Sequence, residues 1–186
     1  MKKLTIAALT LVAAAAGAQA QTSSQGYVSA AIGQGHVSVS CDGATDCKNT
    51  GTAFKINGGY RFGNGLAAEL GYISFGRATA KVDGAEAKLE GYGPTLALAY
   101  LADLNGDWGV GARLGIVSMK TKITGSFGGV SASDSETKAK PYVGLSLSYA
   151  LAPATRVELS ADFSRAEYAG ETASVRAVMI GLRQSF

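Results

Sequence analysis

Seven charged side chains sit at alternating positions of segments that are otherwise rich in glycine, serine and alanine: Lys55, Arg61, Glu69, Arg113, Glu158, Asp162 and Arg183. Alternate residues of an extended chain point to one face of a sheet, so each charge shares its face with small residues. A charge in a packed interior is costly unless it is paired. We therefore expect an ionic network in which Glu69, Glu158 and Asp162 pair with Lys55, Arg113 and Arg183.

Two cysteines, Cys41 and Cys47, are separated by five residues that include Gly43. In an oxidising compartment this spacing predicts a disulfide that closes a small loop, and the chain-entropy argument gives it only about 2 kcal/mol. Two thiolates without further ligands nearby do not match a zinc site. Asp42 and Asp46 are a weak indication of calcium.

His36 is the only histidine, and Ser38 lies two residues away on the same face of an extended chain. A histidine and a serine are two members of a nucleophilic triad, but no carboxylate can be assigned to orient the imidazole. No P-loop, Gly-x-Ser-x-Gly elbow or metal-ligand cluster is present. We therefore interpret the pair as polar rim residues, and we expect no catalytic site, no bound metal and no cofactor.

Alternation of apolar with small or polar residues predicts the elements that carry these side chains. It is clearest over 156–164, where Val157, Leu159, Ala161 and Phe163 share one face. The same period predicts strands over 54–62, 66–72, 91–100, 108–116, 142–151 and 177–186, with a weaker first strand over 26–34. The chain is thus all-β, with eight strands.

The connections also alternate in length. Short turns with Gly, Asn or Pro occur at 63–65, 104–107 and 152–154, and longer polar segments at 39–52, 76–87, 121–138 and 165–173. Eight strands give three short turns and four long loops when both termini of a membrane barrel lie on the periplasmic side. The sequence predicts an eight-stranded antiparallel up-and-down transmembrane β-barrel; a soluble secreted β-sandwich is the alternative.

Aromatic residues support the barrel. Six of them lie beside a short turn or at the C-terminus: Tyr60, Phe62, Tyr100, Trp108, Tyr149 and Phe186. On the barrel they form one girdle at the inner membrane–water interface, where amphipathic rings are favoured. Tyr72, Tyr92 and Phe54 would supply the outer girdle.

The first twenty residues predict a cleavable signal peptide. Lys2 and Lys3 precede an uncharged apolar run, and Ala18 and Ala20 provide the small residues required for cleavage. We expect residues 1–20 to be removed and residues 21–186 to form the barrel. The formal net charge of the whole chain, +3, and the lack of a basic stripe indicate no nucleic-acid partner.

The segment Phe54-Lys55-Ile56-Asn57-Gly58-Gly59-Tyr60-Arg61-Phe62, followed by Ala68-Glu69-Leu70-Gly71-Tyr72 and Phe75, resembles strands two and three of the OmpA-like eight-stranded outer membrane barrels. The terminal Phe186 is similar to the aromatic end through which the outer membrane assembly machinery recognises such proteins, although Gln184 stands where an outward aromatic is common. The resemblance covers the barrel only, so no peptidoglycan-binding domain is expected.

These features imply a monomeric Gram-negative outer membrane protein that contacts outer membrane lipid and lipopolysaccharide. Lys120, Lys122, Lys138 and Lys140 are candidates for lipopolysaccharide phosphates. For the lumen charges we favour a salt-bridged plug over a gated ion path, because eight strands leave no open pore. The expected function is non-catalytic: envelope integrity and display of loops for adhesion or for contact with a host or the environment. The alternative is an outer-leaflet lipid-modifying enzyme or a narrow transporter of small solutes.

Overall fold

A computed structural model describes residues 26–38, 46–82, 85–128 and 130–186 of the 186-residue chain. The predicted signal peptide, Cys41 and Asp42 lie outside these residues. Within them the secondary structure is entirely strand: β1 Gly26–Val37, β2 Asp46–Lys48, β3 Thr50–Arg61, β4 Leu66–Val82, β5 Ala85–Asn105, β6 Trp108–Phe127, β7 Val130–Ala152, β8 Thr155–Tyr168 and β9 Glu171–Ser185.

The eight long strands form a closed antiparallel ring. Each of them pairs with its neighbours in the order β4-β3-β1-β9-β8-β7-β6-β5, and the β4–β5 pairing closes the ring. The short β2 pairs with the outer part of β4, where Asp46 lies opposite Lys81. The predicted eight-stranded up-and-down barrel is confirmed.

Three of the predicted long loops are wrong. Strand pairing continues through most of 76–87, 121–138 and 165–173, so these segments are β-hairpins that extend the wall. In these extensions, residues on both faces are largely polar and meet water. The one-sided apolar alternation by which strands are recognised is therefore lost.

The outer surface of the barrel carries a continuous apolar belt. Leucine, isoleucine and valine side chains on its middle level are exposed on every long strand, as at Ile32, Leu70, Leu98 and Leu114. A soluble sandwich would bury these residues, whereas a lipid-facing barrel exposes them. No described segment forms a helix that is long and apolar enough to cross a membrane.

Candidate functional site

Six of the seven predicted lumen charges are buried inside the barrel: Lys55, Glu69, Arg113, Glu158, Asp162 and Arg183. They come from β3, β4, β6, β8 and β9, and the two-residue period of each strand points them inward. Three cations face three carboxylates, so the layer is neutral. Arg61, the seventh, lies at the periplasmic mouth and is half-exposed, where its guanidinium is 3.2 Å from Asp103.

Lys55 and Asp162 form one half of the network. Lys55 Nζ lies 2.7 Å from Asp162 Oδ2 and donates a second hydrogen bond of 3.2 Å to Ser160 Oγ. The Tyr142 hydroxyl donates to Asp162 Oδ1. Asp162 is fully buried and has a partner on each carboxylate oxygen, which offsets the cost of its desolvation.

Arg113 organises the other half. Its Nε lies 2.8 Å from Glu69 Oε2, and its Nη2 lies 2.9 Å from Glu158 Oε1. Arg183 Nη1 lies 3.4 Å from Glu158 Oε2, as an ion pair without hydrogen-bond alignment. The Tyr27 hydroxyl donates to Glu69 Oε1 over 2.6 Å, so five side chains form one chain across the lumen.

An apolar layer fills the lumen on the extracellular side of this network. Its largest side chains are Ile73, Phe75, Val117, Met119 and Met179, all of them almost completely buried. This layer was not predicted, since the sequence indicated only small residues and charges inside the barrel. Its signal was present, because Glu69, Gly71, Ile73 and Phe75 continue one face of β4 beyond the predicted end at residue 72.

The aromatic residues lie at two levels of the outer surface. All six predicted members of the periplasmic girdle are exposed, and two pairs within it are in contact: Tyr60 with Phe62 at 5.4 Å between ring centroids, and Trp108 with Tyr149 at 5.0 Å. At the other edge, Tyr72 lies between Phe54 and Tyr92 at 6.1 and 6.4 Å. Gln184 pairs with Thr155 through a 2.7 Å hydrogen bond beside Phe186.

His36 lies on the outer face of β1, opposite Arg176 of β9 and Thr50 of β3. Neither cross-strand neighbour is a carboxylate. Ser38 follows the end of β1, where its amide donates to Ser174 O. The structure therefore does not assemble a triad around this pair within the described residues.

The residues predicted in the first loop are only partly described. Cys47 belongs to β2, opposite Ala80, and is not a free thiol. Its pairing with Cys41 stays a prediction, because Cys41 lies outside the described residues. Asp46 is opposite Lys81, and no group of three or more potential metal ligands occurs in the part of the chain that the structure describes.

Of the four lysines assigned to lipopolysaccharide, two have carboxylate partners. Lys138 and Lys140 project from β7 toward Glu167 of β8; Lys138 Nζ lies 2.7 Å from Glu167 Oε1 and 2.9 Å from Glu136 Oε1. These two lysines therefore bridge β7 and β8 rather than face lipid. Lys120 and Lys122 lie on β6, on the face that carries Ile116 and Leu114.

A closed antiparallel barrel with an apolar belt, two aromatic girdles and a filled lumen is the architecture of an outer membrane β-barrel protein. The family model of the outer membrane protein beta-barrel domain matches residues 5–186. The chain belongs to this family, and its predicted localisation in the outer membrane is confirmed.

Several solved structures share the fold. Neisserial surface protein A, NspA, is 18% identical with a TM-score of 0.60, over 89% of this chain and 100% of that one. Ail, the attachment invasion locus protein of Yersinia pestis, solved with the heparin analogue sucrose octasulfate, is 20% identical with a TM-score of 0.58, over 87% and 99%. OprG from Pseudomonas aeruginosa is 17% identical with a TM-score of 0.54, over 90% and 99%. A search of curated proteins finds no match.

Proposed function

We propose that this protein is a non-catalytic outer membrane protein that contributes to envelope integrity and displays extracellular hairpins for adhesion or for contact with a host or the environment. The observation that carries the proposal is the contrast between its two ends. The periplasmic connections are tight turns, whereas the β6–β7 hairpin reaches eleven residues beyond Ile116 at the outer edge of the apolar belt. At about 3.4 Å per residue, this extension is long enough to pass the lipid headgroups.

The tip of that hairpin is apolar. Phe127 and Val130 are cross-strand partners with 69% and 75% of their surfaces exposed. Apolar side chains at an exposed tip have no packing role within the chain, and a hydrophobic contact with another surface would bury them. The filled lumen supports a display role over transport, since two packed layers occupy the path through the barrel.

A deletion strain tests the envelope role. We expect greater detergent sensitivity and weaker attachment to epithelial cells or abiotic surfaces than in the wild type, with an unchanged lipid A mass profile. A changed lipid A profile would instead favour the lipid-modifying enzyme, and unaltered detergent sensitivity together with unaltered attachment would contradict the proposal.

The hairpin tip has its own test. Phe127→Ser with Val130→Ser should reduce attachment of cells that display the protein at equal surface level. Ser131→Ala with Ser133→Ala, on the same hairpin, is the matched control and should leave attachment unchanged. Equal attachment by all three strains would remove the tip from the proposal while leaving the envelope role open to the deletion test.

A further inference from the structure

The outer faces of β8, β9 and β1 change from apolar to cationic at one level. On β8 the outward residue after Phe163 is Arg165, and on β9 the outward residue after Val178 is Arg176. Both arginines are exposed, and Arg176 is opposite Phe163 on one side and His36 on the other. The change marks the outer edge of the apolar belt, where lipid headgroups lie.

Arg165 and Arg176 have no counterion in the described chain. Arg165 is opposite Ser174, and the two arginines occupy diagonal positions of adjacent strands. Diagonal neighbours are about 7–8 Å apart at most, within reach of two long side chains that converge on one group. Neither arginine makes an ion pair with any residue that the structure describes.

Two cations of the opposite wall, in contrast, have carboxylate partners. There Arg77 pairs with Glu90, and Lys88 pairs with Glu86 at 3.3 Å. Lys122 of β6 lies opposite Glu90 in the same row. Arg77 and Lys88 on that wall are thus paired with carboxylates, whereas Arg165 and Arg176 on the β8–β9–β1 wall are not.

A groove begins directly beside the cationic residues. Thr50, the other cross-strand partner of His36, lines it together with Gln34, Lys48 and Thr52. Its volume is about 320 Å³, and Gly33 and Gly51 contribute no side chains to it. Strands are about 4.8 Å apart, so the row from Arg176 through His36 to Thr50 spans about 10 Å, the width of a sugar ring with its substituents.

We propose that Arg165, Arg176 and His36 bind a phosphate of the lipid A headgroup of lipopolysaccharide, and that the adjoining groove receives the glucosamine that carries it. Guanidinium groups bind phosphate through paired, charge-assisted hydrogen bonds, and hydroxyl and amide side chains bind sugar hydroxyls. The apolar residues below, Phe163, Val178 and Ile32, then contact the acyl chains of the same molecule.

The test uses the full-length mature protein, folded in detergent and titrated with bisphosphorylated hexa-acyl lipid A by native mass spectrometry. Arg165→Gln with Arg176→Gln should weaken binding by about tenfold or more, since it removes the charge-assisted hydrogen bonds of both guanidinium groups to the phosphate. Arg165→Lys with Arg176→Lys should lose less, because charge remains while the paired geometry is lost. Heat-modifiable gel mobility checks that each variant is folded.

The matched control is Arg77→Gln with Lys88→Gln, which removes two outward cations from β4 and β5. It should change affinity by less than about twofold, because both cations are paired with carboxylates and lie on the other wall. An equal loss of affinity in this control and in the Arg165→Gln, Arg176→Gln variant would overturn the proposal in favour of a general charge effect. The proposal would also be overturned if the wild type bound dephosphorylated lipid A or phosphatidylglycerol as tightly as bisphosphorylated lipid A.

Discussion

Asp162 is the residue on which the polar lumen depends most directly. It is completely buried, and both of its oxygens are used, one by Lys55 and the other by Tyr142. The carboxylate was predictable as a lumen charge from the period of β8, and so was its membership of the ionic network. The choice of Lys55 as its partner was not, since the sequence contains no information on which strands face each other across a barrel.

Asp162→Asn should destabilise the barrel by about 3–5 kcal/mol, because it leaves the Lys55 ammonium buried without a counterion. The measurement is urea-induced unfolding followed by Trp108 fluorescence and by gel mobility. Asp162→Asn combined with Lys55→Gln should cost less than the sum of the two single changes, since neither charge then remains unpaired. Strictly additive losses would show that the ion pair contributes no coupling.

Ala169 is the one described residue other than glycine with a positive φ, at 50°. It occupies the β8–β9 turn with Gly170, whose φ of 86° suits glycine. The left-handed region costs an L-residue with a Cβ about 1 kcal/mol, and asparagine tolerates it better than alanine. The strain is confined to a turn tip in water.

Ala169→Asn should therefore stabilise the hairpin by about 0.5–1 kcal/mol. Hydrogen exchange of the Tyr168 and Glu171 amides, which flank the turn, would measure the gain. Ala132→Gly, in a strand of another exposed hairpin, is the control and should lower protection there. Faster exchange in Ala169→Asn would mean that the alanine is required for another contact.

At the scale of elements, the membrane-spanning strands were predictable and their extensions were not. Within the belt, one face meets lipid and the other a packed lumen, so apolar and small residues alternate strictly. Above the belt both faces meet water. The remaining signal was the two-residue sequence Gly128-Gly129, which is typical of a tight hairpin.

The β7 and β8 extensions are joined without backbone pairing. Their ladder ends at Val143 and Phe163, and beyond it side chains make the contact. Glu167 forms ion pairs with Lys138 and Lys140. The Tyr168 hydroxyl donates a hydrogen bond to Asp134 over 2.9 Å, and the Ala169 amide donates one to Glu136 over 3.1 Å. We call this set the β7–β8 clasp.

The clasp should open in acid. Hydrogen bonds from Lys138 and Lys140 lower the pKa of Glu167 to about 2, and a hydrogen bond from Lys138 also lowers the pKa of Glu136. A carboxyl group whose pKa is lowered by folding stabilises the folded state at pH values above its ordinary pKa near 4.5. This stabilisation is lost as the pH falls toward 2. The hydrogen bond to Glu136 raises the pKa of Lys138 to about 12. The stability that protonated Lys138 contributes is therefore lost only as the pH rises through that value.

Hydrogen exchange of the Ala169 amide, corrected for the intrinsic rate at each pH, measures this opening. Protection should be constant between about pH 5 and 9 and should fall below pH 4. Glu167→Gln should show reduced protection already at pH 7, whereas Glu171→Gln, outside the clasp, should behave as wild type. A flat profile down to pH 2.5 would contradict an ionic clasp.

At the scale of the whole molecule, a barrel of eight strands has a lumen that side chains can fill. Here it is filled in two chemically different layers: the neutral ionic network and, on its extracellular side, the apolar layer of Ile73, Phe75, Val117, Met119 and Met179. The closed barrel could be predicted from the number of strands, and the ionic layer from the inward-facing charges. The apolar layer could not be predicted in this way, because four of its five large residues, Ile73, Phe75, Val117 and Met119, lie beyond the predicted ends of β4 and β6 at residues 72 and 116.

Because the two layers lie in series, we expect that disrupting one of them does not open a path for ions. Single-channel recordings of the wild type in planar bilayers should show no stable open conductance. Phe75→Ala with Met119→Ala should lower the free energy of unfolding by about 2–5 kcal/mol for each substitution, because packing is lost. The double variant should nevertheless remain non-conducting, because the Lys55–Asp162 and Arg113–Glu69–Glu158 ion pairs still occupy the path. An empty bilayer and a large porin recorded under the same conditions are the controls. A reproducible open state in the wild type would contradict the closed lumen, and one that appears only in the double variant would show that the apolar layer alone is the barrier.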